Sequence, residues 1–330
     1  MTNNSSWDAE RLLRTAGSYW EACTLQTGVK LEIFTKIGDG YLAAEEIAQK
    51  LDGDERGTTM LLNALTAMGL LIKKDNRYAN TTEGKSLLMK LSPQYIGYLI
   101  LHHTQVINSW SQLSEAVRSG KPVRQQPYNE EERENFLMGM FNLAMASAPQ
   151  LAAQIDLSNR RHLLDLGGGP GTYAIHFCLA NPKLRATIFD LPTTRPFALR
   201  TVKQFGLGDR IDFMAGNYVE EEIKGSYDVA WLSHIFHGEG PEDCQRIIQK
   251  TLSVTKPGGL IFIQDFILED TFDYPLFPAI FSLNMLINTP KGQSYSETQI
   301  KEMLEKAGVK EIKRVPYKGP NDAGIISGIV

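Results

Sequence analysis

Cysteine is scarce in this chain: Cys23, Cys178 and Cys244 are the only three, and they lie far apart. Their number is odd and no CxxC or Cys/His spacing accompanies them. A disulfide framework is therefore excluded, no metal is expected, and a reduced, cytoplasmic setting fits best. No run approaches 18 consecutive apolar residues, so no membrane span is expected. The opening MTNNSSWDAERLLR is polar and lacks the apolar stretch of a secretion signal. Excess positive charge is missing too. The formal net charge is -4, which offers no bulk attraction for nucleic acid. Repeats and low-complexity tracts are also absent. What remains is an ordinary globular balance, 42% hydrophobic and 22% charged over 330 residues. That length suggests two domains or one large one.

The pattern changes character along the chain. Residues 8–27 read as one helix, 29–38 as a short helix ended by glycine, 43–51 as a helix and 57–70 as another. LIKKDNRYANTTEG then reads as two strands around Asp75-Asn76. Helices followed by a hairpin suggest a winged helix. Its second helix has one basic residue nearby, Arg56, and lacks the donors a DNA-reading helix needs. A dimerisation role is the better expectation. Residues 93–156 read as helical, with an end marked by Arg118 to Pro122. From 160 onward, strands are expected at 162–167, 185–191, 211–216, 227–234, 258–267, 309–317 and 322–329, mostly with helices between them. The last two are joined by Gly319-Pro320-Asn321-Asp322, so they form a hairpin and the final strand runs antiparallel. The expected divisions are 1–100, 101–156 as a helical linker covering the active site, and 157–330.

The sharpest local signal is HLLDLGGGPG, residues 162–171, where a buried strand ends in glycines and a helix begins. Such glycines let backbone approach a ligand, and the helix start offers free N–H groups. Asp190 ends the next strand, 21 residues beyond Gly169, where a carboxylate can accept both ribose hydroxyls of an adenosine. Those two signals fit either NAD or S-adenosylmethionine (SAM). Three details favour SAM. Thr172 stands where the dinucleotide pattern requires glycine, Asp165 precedes the first glycine by two residues, and the final hairpin is a SAM-fold feature.

Beyond this point the motifs occur as a series: LLDLGGGPG, IFDLP, DRIDFMAGNY, SHIFHGEGPEDC, KPGGLIFIQDFIL and EMLEKAGV. In this order, over nearly the whole chain, they resemble the small-molecule O-methyltransferases that carry a winged-helix dimerisation domain. That family includes plant caffeate-type, hydroxyindole-type and bacterial tailoring enzymes. The resemblance implies an α/β, Rossmann-like sheet, mostly parallel with an antiparallel final strand, behind a mainly helical N-terminal domain. It implies a homodimer through that domain, SAM as methyl donor with S-adenosylhomocysteine as product, and a small-molecule acceptor. Gly167, Gly168 and Gly169 would hold the cofactor, with Asp190 on the ribose and Leu191 beside the adenine. Gly216, Asn217 and Tyr218 match the adenine segment, although the family commonly has Asp at Asn217. Ser233, Phe141 and Met145 complete the cofactor set.

A hydroxyl is a poor nucleophile while protonated, so a base of near-neutral pKa helps, and histidine is the usual choice. His237 lies just beyond the strand 227–234, at the carboxyl end of the sheet, and matches the family base. His234 is its rival. Asp265, on a neighbouring strand, is the candidate to orient the imidazole. Two departures stand out: Gly238 and Glu239 replace the family's Asp-Trp, and Ser294 stands where a second acid is expected. The acceptor site is expected to include Phe281, Asn284, Met285, Asn288 and His103. Other readings left open are N-, S- or C-methylation by proximity, a non-catalytic SAM-binding regulator and an NAD oxidoreductase.

Overall fold

In a computed structural model the chain is described at residues 6–123 and 127–330. It divides into two compact units at Val106/Ile107. The first contains α1 (Ala9–Gly17), α2 (Tyr19–Lys30), α3 (Ile33–Ile37), β1 (Leu42–Ala43), α4 (Ala44–Leu51), α5 (Glu55–Ala67), β2 (Leu71–Lys74) and β3 (Arg77–Asn80). α6 (Gly97–Trp110) runs through the division. The predicted helix over 8–27 is broken at Gly17-Ser18. The Ser18 hydroxyl donates back to Thr15 O at 2.9 Å and closes the turn early. β1 was not predicted, because two residues carry no periodicity. It pairs with β3, which also pairs with β2, in an antiparallel sheet. Val29, Phe34, Ile47, Leu62, Leu65 and Tyr78 form this unit's core. Asn80 Nδ2 donates to Phe34 O and Gly38 O, both at 2.8 Å, and so ties β3 to the end of α3.

The second unit opens with α7 (Leu113–Ser119), α8 (Glu130–Met145) and α9 (Ala148–Gln154). α7 stops at Gly120, which takes the left-handed conformation. α8 starts on a reciprocal cap: Asn129 Oδ1 accepts from Glu132 N at 2.9 Å, and Glu132 Oε2 accepts from Asn129 N at 3.0 Å. Strand and helix then alternate: β4 (His162–Leu166), α10 (Thr172–Ala180), β5 (Arg185–Asp190), α11 (Arg195–Gln204), β6 (Ile211–Ala215), β7 (Tyr227–Ser233), α12 (Pro241–Val254) and β8 (Thr255–Phe266). α13 (Leu276–Asn288), α14 (Glu297–Lys306), β9 (Lys310–Arg314) and β10 (Ala323–Ile329) complete it.

These strands form one sheet in the order β6-β5-β4-β7-β8-β10-β9. β6, β5, β4, β7 and β8 are mutually parallel, and β10 runs antiparallel to both β8 and β9. The central strands read as near-continuous apolar runs because both faces are covered. On one face Leu163, Ile188, Val229, Trp231 and Phe262 pack with α9, α10 and α11. On the other Leu164, Leu166, Ala230, Leu232 and Ile263 meet Ile247, Ile248, Ile300 and Leu304 of α12 and α14. Each fully buried Leu or Ile contributes about 1.5–3 kcal/mol by leaving water. Among the described residues no single helix is long and apolar enough to cross a membrane.

Candidate functional site

β4, the third strand of seven, delivers the glycine loop to the carboxyl edge of the sheet. Gly167 N donates to Phe189 O at 2.8 Å, which extends the β4/β5 pairing by one residue. Gly167, Gly169 and Gly171 then take positive φ angles of 64°, 53° and 80°. An added Cβ at Gly168 would lie 2.6 Å from Asp165 Cγ, and one at Gly167 2.5 Å from Ile235. At Gly169 an added Cβ would meet no described atom within 4 Å, so the loop has a packed side and an open side. The open side is a cradle for a ligand.

Asp190 closes one flank of the cradle. Its Oδ2 accepts from Gly169 N at 2.8 Å, and its Oδ1 accepts from Leu191 N at 2.7 Å and Thr194 Oγ1 at 2.9 Å. Burial raises its pKa, while these donors pull it back. Beneath the loop, Asp165 is fully buried. Its Oδ2 accepts from Ala174 N at 3.1 Å, and its Oδ1 has no hydrogen-bond partner among the described residues. Burial pushes its pKa up to about 7, and the nearby Asp190 carboxylate adds to the rise.

Of the other expected cofactor residues, Gly216, Leu191 and Tyr218 lie beside this loop or Asp190, and the rest make contacts elsewhere. Gly216 N donates to Asp190 O at 2.9 Å, and a Cβ there would meet the Phe189 ring at 2.4 Å. Asn217 Oδ1 accepts from Val219 N at 2.9 Å, so its side chain shapes the turn. The Tyr218 ring lies over Gly167, and its hydroxyl pKa is raised by burial and by the Glu239 carboxylate. Leu191 is 44% exposed at the rim. Ser233 Oγ donates to Gln264 Oε1 at 3.1 Å. On α8, Met145 Sδ lies 3.2 Å from His176 Nε2, and Phe141 meets Phe205 edge to face at 6.5 Å. Both are thus packed against their own helical layer.

The second cluster forms where β7 and β8 end. Ser233 is level with Gln264 in the parallel register, so Asp265 comes level with the residue that leaves β7. That residue, His234, has φ 56°, a left-handed conformation unusual for a side chain other than glycine or asparagine. The chain turns through Phe236–Gly238 and brings His237 back over the strand ends. His237 Nδ1 lies 2.6 Å from Asp265 Oδ1, and His237 N donates to Asp265 Oδ2 at 3.2 Å. Phe266 N donates to Asp265 Oδ1 at 2.8 Å. Burial would raise this carboxyl, but the charge of the two imidazoles and the hydrogen bond from His237 outweigh it and hold it well below the usual carboxylate range. His234 Nδ1 lies farther off, at 3.7 Å.

Aromatic rings wall in His237. Phe281 meets it edge to face at 4.8 Å and Phe266 stacks at 5.8 Å, while Phe277 lies 4.9 Å from Phe266. Of the expected acceptor residues, Phe281 is in this wall. Asn284 and Asn288 lie on the same helix, with Asn284 Oδ1 accepting from Trp110 Nε1 at 3.0 Å and from Asn288 Nδ2 at 3.2 Å. Met285 is buried. His103 belongs to the N-terminal unit, on α6, where burial lowers its pKa. The Ser294 hydroxyl donates to Pro278 O at 2.9 Å and ties its loop to the start of α13. Sequence reasoning named neither Gln264 nor Phe266. Their signal was adjacency, since both flank Asp265 on the same strand end.

The comparisons with known proteins agree with this geometry. Residues 110–310 match the O-methyltransferase domain family, and residues 13–90 match the O-methyltransferase dimerisation domain. The chain is similar to 3-hydroxy-5-methyl-1-naphthoate 3-O-methyltransferase of Streptomyces sahachiroi, 31% identical over 95% of this chain and 93% of that protein. It is 28% identical to the tetracenomycin polyketide synthesis 8-O-methyl transferase TcmO of Streptomyces glaucescens, over 95% of each. A solved structure of PigF with SAH (S-adenosylhomocysteine) has a TM-score of 0.90 and 26% identity, over 98% of this chain and 100% of that one.

Proposed function

Because the chain belongs to the O-methyltransferase family and is a SAM-dependent enzyme, we propose that it methylates a hydroxyl on a flat, fused-ring aromatic acceptor, with His237 as general base. The observation that carries this reading is the 2.6 Å contact between His237 and buried Asp265, set among the Phe266, Phe277 and Phe281 rings. The cradle fits the cofactor: it has open space at Gly169, a polar flank at Asp190 and an unpartnered buried acceptor at Asp165. When bound, SAM supplies an electrophilic methyl group on a sulfonium.

This chain's residues do the remainder. Gly167, Gly168 and Gly169 admit the cofactor without side-chain interference. Asp190, with lone pairs left after its three donors, accepts the ribose hydroxyls. Leu191, Gly216 and Tyr218 frame the adenine, and Asn217 contributes its free amide N–H groups, since its oxygen already serves the turn. Ser233, Met145 and Phe141 close the far side. Asp265 holds the Nδ1 proton of His237, which leaves Nε2 as the acceptor that takes the hydroxyl proton as the oxygen attacks. The phenylalanine wall excludes water and orients the ring, with Asn284, Asn288 and Met285 on α13 bounding the acceptor.

The same reading extends to the rest of the chain. Residues 1–100 serve as a winged-helix dimerisation domain, 101–156 as a linker and 157–330 as the catalytic domain of a cytoplasmic homodimer. The test is methyl transfer from labelled SAM to hydroxynaphthoates and hydroxylated polycyclic quinones, against amine and thiol analogues of the same rings. Label on oxygen supports the reading. Label on the amine or thiol analogues alone would overturn it.

A further inference from the structure

We propose that His234, His237 and Asp265 together form a binding site for a divalent cation of the zinc class, and that filling it switches the base off. A nitrogen from each imidazole and a carboxylate oxygen lie within 4.8 Å of one another. Two imidazoles and one carboxylate make a borderline N/O donor set suited to zinc, with a fourth position left open.

His234 sets this apart from a simple histidine–carboxylate pair. Its Nδ1 is shielded from solvent and has no hydrogen-bond partner among the described residues. At 3.7 Å from Asp265 Oδ1 it is too far for a hydrogen bond, yet it is aimed at the same oxygen as His237. Its left-handed backbone, φ 56°, holds it there. A buried nitrogen without a partner is costly, and a cation between the three groups would supply one.

Both separations from Asp265 admit an ion with small movements, and the two imidazole nitrogens lie within 4.8 Å of each other. Tetrahedral bonds of about 2.0–2.1 Å place ligand atoms roughly 3.3 Å apart. The His234–Asp265 separation of 3.7 Å is already close to that value. The His237–Asp265 contact of 2.6 Å must open by about 0.7 Å to reach it. Asp265 need not move, because Phe266 N and His237 N hold it from the backbone side. Those donors are the outer support that a ligating carboxylate requires.

The consequence for chemistry follows from the ring proton, and it rests on the reading of His237 as base. In the metal-free site the neutral ring carries its proton on Nδ1, facing Asp265, and Nε2 is the acceptor. A cation on Nδ1 obliges that proton to sit on Nε2. The ring stays neutral, but Nε2 becomes a donor and can no longer take the hydroxyl proton.

The test uses tag-free, chelator-treated full-length protein titrated with Co²⁺ and followed by visible absorption, then challenged with Zn²⁺. The expected result is one Co²⁺ per chain, displaced by Zn²⁺, with His234→Ala weakening binding at least about tenfold. Retained SAM binding by calorimetry shows that the variant is folded. Lack of stoichiometric binding, or equal Co²⁺ affinity in wild type and folded His234→Ala, would overturn the site. Methyl transfer is read in parallel as the ratio of rates with and without Zn²⁺ for each protein. Wild type should be inhibited and recover on chelation, and His234→Ala should need at least about tenfold more Zn²⁺. Stoichiometric, His234-dependent binding with undiminished transfer would uphold the site and overturn His237 as base.

Discussion

At the scale of single residues, the proposed chemistry depends on one proton held in one place. The Asp265 carboxylate receives three hydrogen bonds, from His237 Nδ1, His237 N and Phe266 N, so the imidazole has little freedom to turn. His237→Ala should lower the rate of methyl transfer by about 10²–10⁴ with SAM affinity nearly unchanged. The deficit should shrink as pH rises, because a phenolic acceptor with a pKa near 10 ionises unaided. Asp265→Asn should show a smaller loss of the same kind. Single-turnover rates measured from pH 6 to 10 check this, and equal rates for wild type and His237→Ala would remove the base assignment. This pair was legible in the sequence because Asp265 lies at the end of one recognisable strand and His237 just beyond the end of another. The His234 contribution was not, since metal-ligand spacing is read along the chain and Asp265 arrives from the next strand. The replacement of a second acid by Ser294 was visible, but not the use of its hydroxyl to tie a loop to Pro278.

At the scale of elements, β4 stands out because the carboxyl group it carries, that of Asp165, is fully buried and its pKa is raised to about 7. The raised pKa of Asp165, about 7 in the fold, means that the folded chain keeps a proton that the unfolded chain releases near its ordinary value of 3.8. The stability this proton brings is fully present below about pH 4 and is lost as pH rises toward 7. Asp165→Asn removes the titration. The stability of the variant relative to wild type should therefore climb between pH 5 and 7, by on the order of 3 kcal/mol, and level off above that. Paired thermal melts without SAM check it, and a difference constant with pH would count against it. The elements themselves were largely readable, because burial on both faces writes apolar runs into the strands and caps mark the helix starts. The failures were local. A serine hydroxyl ended α1 early, and the two-residue β1 exists only because β3 offers it an edge.

At the scale of the whole molecule, the first described residues and the N-terminal helices expose Trp7, Leu12, Leu13, Tyr19 and Trp20, with Leu13 at 74% and Trp20 at 68%. A contiguous stretch of this kind is what an association surface leaves uncovered in a single chain, and residues 13–90 match a dimerisation domain. Light scattering should give twice the chain mass at micromolar concentration, and Leu13→Asp with Trp20→Asp should shift it toward the single-chain mass. A wild-type protein at the single-chain mass would refute the dimer. The order of the large sheet has a further consequence, in the timing of synthesis. β8, which carries Asp265, has β10 as its neighbour on one side, with Asp265 opposite Gly324. β9 is made before β10 yet lies outside it. A growing chain can therefore assemble the cradle at β4 and β5 early, but the strand that carries Asp265 stays a bare edge until residues 323–329 emerge. Binding of the methyl donor can precede catalytic competence during translation, and the unpaired β8 edge is the interval in which the nascent enzyme is most open to mispairing.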